Sequence, residues 1–159
     1  MNLSIITVVK NDKSNLASTI KSVLSQNYKD FEYIIFDGLS SDGIESVINR
    51  YKKNNIKYVR RSDKNYYDGL NKAIKKAKGN YIGILNAGDI YDNKNVLKMV
   101  MNKILKTKCD LLFSNLRYVN PKNKYSRVWK FDILHLNKLS ALKIASPTLF
   151  VKKKIAKTF

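Results

Sequence analysis

The chain reads as an α/β domain, a mostly parallel sheet flanked by helices, and three observations predict it. Short apolar runs rich in β-branched residues, at 3–9, 31–36, 56–59 and 81–85, are of the kind buried on both faces. Between them lie segments whose apolar residues recur at spacings of three and four, as on a helix with one apolar face. Each run then turns abruptly polar, at Asn11, Asp37, Asp63 and Asp89. Strand–helix alternation implies parallel pairing with right-handed crossovers. The polar strand ends then converge on one sheet edge, where open α/β sheets bind ligands.

The elements follow in order. Residues 3–9 form the opening strand and 10–13 a loop, with Ser14 placed to cap the next helix. In that helix Leu16, Ile20, Val23 and Leu24 make one stripe, and Gln26-Asn27 end it. The second strand ends in Asp37-Gly38-Leu39-Ser40-Ser41-Asp42-Gly43, where the glycine beside Asp37 leaves room for a ligand. Ser40 or Asp42 caps a short helix over 44–51. After the third strand come Arg60, Arg61, Ser62, Asp63 and Lys64, whose basic groups either complement a diphosphate or stand solvated.

The stretch from Tyr66 to Asp89 organises the rest. Its helix carries Leu70, Ala73, Ile74 and Ala77 on one face and Lys72, Lys75, Lys76 and Lys78 elsewhere. Gly79-Asn80 stops it, with glycine where a left-handed cap is easiest. The strand at 81–85 runs into Asn86-Ala87-Gly88-Asp89. Beyond it the pattern weakens. Asn93 or Asn95 caps a helix with Val96, Met99, Val100, Ile104 and Leu105. Residues 109–113 read as another buried strand, 118–129 as a hairpin turning at 120–123, and 131–142 as a helical pattern. Trp129 and His135 read as packing residues.

Composition narrows the classes. At 159 residues the chain is one domain with a real core. The single cysteine, Cys109, allows no internal disulfide and fits a reducing compartment. No secretory signal and no apolar run of spanning length is visible, so a cytoplasmic location is expected. The net charge is +19, and residues 90–159 hold 16 Lys+Arg against three acids. Such a surplus fits an anionic partner, such as a phosphorylated substrate, nucleic acid or an anionic membrane face, or else a lysine-rich composition without function.

The motifs resemble those of family 2 glycosyltransferases of the GT-A fold, which is Rossmann-like. The run Gly79-Asn80-Tyr81-Ile82-Gly83-Ile84-Leu85-Asn86-Ala87-Gly88-Asp89 is similar to the strand and acidic "DXD" loop of that family. Tyr67-Asp68-Gly69-Leu70-Asn71-Lys72-Ala73, Ser22-Val23-Leu24-Ser25-Gln26-Asn27-Tyr28 and the loop after Asp37 resemble further family motifs. Asn86 and Gly88 stand where many members have aspartate, and Ser146 replaces a histidine in the segment 145–150.

The resemblance implies a sugar moved from a nucleotide-diphosphate sugar to a polysaccharide or lipid-linked acceptor, with inversion. It implies a donor site of Val9, Asn11, Asp37, Asp63, Asp68, Asn71, Asn86, Ala87 and Gly88, with Asp37 on the nucleoside. Asp89 is then the ligand of a divalent metal, Mn²⁺ or Mg²⁺. Residues 1–89 are the nucleotide-sugar half and 90–159 part of an acceptor half. Relatives continue past Phe159, and the general base is expected there. Peripheral contact with the inner membrane face fits the basic second half, and a homo-oligomer or second chain could complete the site.

Three other readings compete. One is a split or non-catalytic glycosyltransferase fragment that binds nucleotide only. Another is a basic nucleic-acid-binding module, although no zinc-ligand set, aromatic RNP-type strand or recognition helix stands out. A sugar-phosphate nucleotidyltransferase shares the strand-and-loop logic but calls for a glycine-rich basic loop near the amino terminus.

Overall fold

The computed structural model describes residues 1–51, 54, 56–120, 126–130 and 146–156. The expected helix over 131–142, the turn of the hairpin and His135 lie outside them. The elements are β1 (Leu3–Val9), α1 (Lys13–Leu24), β2 (Phe31–Asp37), α2 (Glu45–Arg50), β3 (Ile56–Arg60), α3 (Tyr66–Lys76), β4 (Tyr81–Ile84), α4 (Val96–Thr107), β5 (Leu111–Phe113), β6 (Leu116–Val119), β7 (Ser126–Trp129) and, after a 3-10 turn at Ser146–Thr148, β8 (Leu149–Lys152).

Among the described residues, six strands form one sheet in the order β3-β2-β1-β4-β8-β5. The first four are parallel, as the alternation predicts, with Leu3 opposite Phe31 and Tyr81. β8 enters antiparallel between β4 and β5, so the chain after Asp89 completes the same sheet. β6 and β7 pair antiparallel as a separate ribbon, the two arms of the expected hairpin.

Every residue of β1 is buried, because this central strand is covered on both faces. Leu3, Ile5 and Val9 pack with the apolar stripes of α1, α2 and α4. Ile6 and Val8, on the opposite face, pack with Leu70, Ala73 and Ile74 of α3. Each large side chain so buried contributes roughly 1.5–3 kcal/mol. Polar groups within the layer are paired: Thr7 Oγ1 donates to Leu85 O at 2.7 Å and meets the Tyr33 hydroxyl at 2.9 Å. One group is not. The Tyr91 hydroxyl is buried and has no partner among the described residues. Tyr91→Phe is therefore expected to stabilise the fold by about 1 kcal/mol, read as a higher urea midpoint at unchanged slope.

Several local expectations are corrected. Gly79 is not a left-handed cap. α3 ends at Lys76 with Ala77 extended, and Gly79 instead lies against β1. A Cβ there would stand 2.5 Å from Leu3 C and Ser4 N. Its amide donates to Ser4 Oγ at 2.8 Å, and Ser4 in turn donates to Glu32 Oε1. Gly79→Ala must push α3's exit off β1, and we expect a loss of about 2 kcal/mol in urea unfolding.

Ser14 does not cap α1. Asp12 occupies the cap position, and its side chain accepts from Asn15 Nδ2 at 2.7 Å. Ser40 and Asp42 do not cap α2, because both are turned back to the β1–α1 loop. Asn95 does hold the cap position of α4, but its side chain accepts from Asn27 across the loop. The strand at 109–113 is shorter and less buried than expected, since β5 is a sheet edge and exposes Leu111.

Candidate functional site

At the carboxyl edge of the sheet, the loops after β1 and β2 are stitched together. Asn11 is in the left-handed region at φ 51°. Its amide donates to Ser40 Oγ at 2.9 Å, and its side-chain oxygen accepts from Ser41 N at 2.7 Å. Asp42 accepts from Lys13 N at 2.7 Å.

Asp37 ends β2 and is fully buried. One carboxylate oxygen accepts from Ser40 N and Ser40 Oγ, at 2.8 and 2.6 Å. The other accepts from the Tyr58 hydroxyl at 2.6 Å and lies 3.4 Å from Arg60 Nε. Burial first, and then this hydrogen bond, push the Tyr58 hydroxyl far above its ordinary pKa. Arg60 also pairs with Glu45 at 3.0 Å and donates to Ser40 O at 2.9 Å. Asp37 thus sits at the predicted edge as a brace of the loop, with its oxygens engaged by protein. Arg60 is tied into that brace.

Beside it, the Asp63 side chain is 5% exposed, with Lys10 Nζ 4.0 Å from its Oδ1. A Cβ at Gly38 would overlap Asp63 Oδ2, so only glycine lets this carboxylate lie over the loop backbone. Asp68 lies in the first turn of α3. It accepts from Lys72 Nζ at 2.6 Å and Lys64 N at 2.9 Å, and the Lys72 bond holds its carboxyl below the usual range. Asn71 is half-buried on the next turn.

The loop after β4 is built from three sides. Asn86 Oδ1 accepts from the Tyr66 hydroxyl at 2.7 Å, and Asn86 Nδ2 lies 3.4 Å from Ser146 Oγ. Gly88, at φ 91°, donates its amide to Thr19 Oγ1 at 2.9 Å, and that hydroxyl donates to Asp89 O at 2.9 Å. Ser22 accepts from Tyr91 N, while Gln26 spans Asn93 O and Leu97 N. The Asp89 carboxyl is pushed up by burial.

A cleft of about 410 Å³ opens at this edge, lined by Val8, Val9, Lys10, Asp12, Tyr66, Asn86, Ala87 and Ser146. Of the predicted residues it brings together Val9, Asn86 and Ala87. Asn11 faces a wider groove of about 510 Å³ between α1 and α2, with Lys13, Asp42 and Arg50. Sequence reasoning missed Lys10, Asp12, Thr19 and Tyr66. The hydroxyl and phenol carry no motif of their own, and their roles arise only from contacts 20 to 70 residues away in the chain.

Among the described residues no three His, Cys, Asp or Glu side chains gather as a metal site. The loop offers one carboxylate, Asp89. That set fits Mg²⁺ or Mn²⁺ in the manner of cations held by one carboxylate with substrate phosphates and water.

A mostly parallel sheet with its polar loops gathered at the carboxyl edge defines an open α/β protein of the kind that binds ligands at that edge. Comparison with known proteins makes this specific. The sequence model described as "Glycosyl transferase family 2" matches residues 4–153. This chain belongs to glycosyltransferase family 2. The curated Escherichia coli protein WfaP, named a UDP-Glc:alpha-D-GlcNAc-diphosphoundecaprenol beta-1,3-glucosyltransferase, is 38% identical over 93 residues, covering 56% of this chain and 36% of WfaP. An uncharacterized Rickettsia typhi glycosyltransferase is 29% identical over 95% of this chain and 52% of its own length.

Among solved structures, Staphylococcus aureus TarS in complex with UDP-GlcNAc superposes at TM-score 0.84 with 21% identity, over 99% of this chain and 47% of TarS. A Pyrobaculum calidifontis mannosyltransferase in complex with GDP-Man and Mn²⁺ superposes at TM-score 0.66 with 17% identity, over 78% of this chain and 37% of its own. The fold is therefore GT-A, as expected. The chain spans about half or less of the length of these relatives.

Proposed function

We propose that this chain is the donor-binding part of a glycosyltransferase that moves a sugar from a nucleotide-diphosphate sugar to a polysaccharide or lipid-linked acceptor. The observation that carries this is the convergence of the β1 and β4 ends and the 3-10 turn on one polar cleft, with the half-buried Asp89 carboxylate at the end of its loop. Residues 1–89 supply the donor half and 90–159 part of the acceptor half. Asp63, lying over Gly38, is the carboxylate best placed for the nucleoside, and Asp37 holds that floor in shape. Lys10 is the cation nearest the cleft for a diphosphate.

Asp89 would hold a divalent cation, Mn²⁺ or Mg²⁺, which supplies charge neutralisation to a leaving diphosphate. Inversion requires a base on the acceptor hydroxyl, and none of the described residues is assigned to it. The WfaP name carries a UDP-Glc donor and a diphosphoundecaprenol acceptor, which supports a UDP-sugar and a lipid-linked acceptor here.

The acceptor class and the basic second half support a cytoplasmic protein resting at an anionic inner membrane face, each surface lysine contributing roughly 1 kcal/mol. No described helix is long and apolar enough to cross a membrane. Vesicle binding that does not change across a salt series would count against this location.

The test of the donor reading is a thermal-shift panel of UDP, GDP, dTDP and CMP, each with and without Mn²⁺. A ligand at 100 times its Kd adds about 2.7 kcal/mol, a shift of several degrees. A shift with one nucleotide that grows with Mn²⁺ supports the reading, and no shift with any nucleotide overturns it.

A further inference from the structure

We infer that the outward face of α4 is the surface on which this protein rests on an anionic bilayer, with its lysines at the lipid phosphates and the Met99 and Leu105 side chains in the interface. The inference rests on the membrane-face reading above and gives that reading a place on the fold. Counting about 100° per residue, Leu105, Lys98, Asn102, Lys106, Met99 and Lys103 share one outward arc of roughly 160°. The opposite side of the helix, Leu97, Val100, Met101 and Ile104, is buried in the core. Met99 and Leu105 are 64% and 61% exposed. Two long aliphatic side chains thus stand in water among lysines. Between residues 93 and 109 there are five lysines and no acid. All five, Lys94, Lys98, Lys103, Lys106 and Lys108, are exposed. The acids that bound the stretch are engaged elsewhere, Asp92 with Arg117 at 3.4 Å and Asp110 with Lys152 at 2.8 Å.

Charge and apolar tips together select the partner. The lysines call for a surface dense in phosphate, and the side chains between them call for an apolar layer just beneath it. An anionic bilayer offers both. A nucleic-acid backbone offers the phosphates without the apolar layer. A second copy of this face would set lysine against lysine. The helix starts seven residues past Asp89, and its residues do not line the cleft. Docking here therefore leaves the cleft open to a lipid-linked acceptor arriving along the same bilayer.

The experiment is flotation with mixed phosphatidylglycerol–phosphatidylcholine vesicles, and with phosphatidylcholine alone as the neutral control. Wild type is compared with three variants, all at exposed positions. Lys98→Gln/Lys103→Gln/Lys106→Gln removes charge from α4. Lys75→Gln/Lys76→Gln/Lys78→Gln removes the same charge from the end of α3, on the other face of the sheet. Met99→Ser/Leu105→Ser removes the apolar tips. The α4 lysine variant is expected to bind anionic vesicles about a hundredfold more weakly, since each lysine at the surface contributes about fivefold. The α3 variant is expected to lose less than about tenfold, because its charges are held away from the bilayer. The Met99/Leu105 variant is expected to lose about tenfold even in raised salt, where the charge contribution is screened. Equal losses from the two lysine variants, or none from the Met99/Leu105 variant, would overturn the assignment to α4 while leaving the membrane location standing. A solution dimer that the Met99/Leu105 variant dissolves, or tight duplex DNA binding lost in the α4 lysine variant alone, would also overturn it by giving the face to another occupant. Wild type that binds no anionic vesicle overturns the location and this inference together, and the donor reading still answers to its own nucleotide panel.

Discussion

Asp89→Asn is expected to erase the metal-dependent part of nucleotide binding and, in the ligand-free protein at pH 7, to raise the melting temperature. The two effects have one cause. Burial disfavours the charged carboxylate and raises the Asp89 pKa in the folded state. For an acid raised in this way, the stabilising contribution is fully present below the unfolded pKa and is lost as pH rises through the folded value. At neutral pH the ionised Asp89 therefore burdens the empty fold, and a neutral isostere relieves it. Melting curves of the two proteins should draw together as pH falls through the carboxylate range.

Cation binding reverses the balance, because it requires the ionised form. The Mn²⁺-dependent nucleotide shift of wild type should grow with pH over the same range and be absent from Asp89→Asn. At saturating nucleotide this is a loss of several degrees. A variant that kept the full Mn²⁺ effect would remove Asp89 from the metal site.

Asp37→Ala is expected to cost about 3 kcal/mol of stability, roughly 6–12 °C, before any question of ligand arises. The loss comes from Ser40 N, Ser40 Oγ and the Tyr58 hydroxyl, which all give up a buried charged acceptor. The Arg60 pair adds less, since the guanidinium is 44% exposed and screened by water. Asp37→Asn retains one carbonyl acceptor and should lose about half as much. Wild-type unfolding midpoints in both variants would show that Asp37 does not brace the loop.

The elements that were legible in the sequence are those governed by local pattern. β1, β2 and β4 are continuous apolar runs, and α1 and α3 carry one apolar stripe each. Their bounds fall within a residue or two of the expected ones. Caps were misread wherever a polar side chain had two possible partners. Ser14, Ser40, Asp42 and Asn95 all stand near helix starts, but the last three serve loops 29 to 68 residues away. A capping pattern sees only the nearest amide and cannot weigh such competition. The insertion of β8 between β4 and β5 was equally illegible, because strand pairing across 69 residues leaves no periodicity to read.

By itself, then, the sequence determined the parallel α/β order of the first half, the polar strand ends on one edge and the family motifs around Asp37 and Asp89. Hydrophobic period and turn chemistry act over a few residues, and they are written residue by residue. Only the tertiary structure decided what each polar group does there. It buried Asp37 among Ser40, Tyr58 and Arg60, laid Asp63 over Gly38, and locked Asn86 between Tyr66 and Ser146. Those roles depend on which donors and acceptors the fold brings within hydrogen-bond reach of one another, and on how much water it excludes from them.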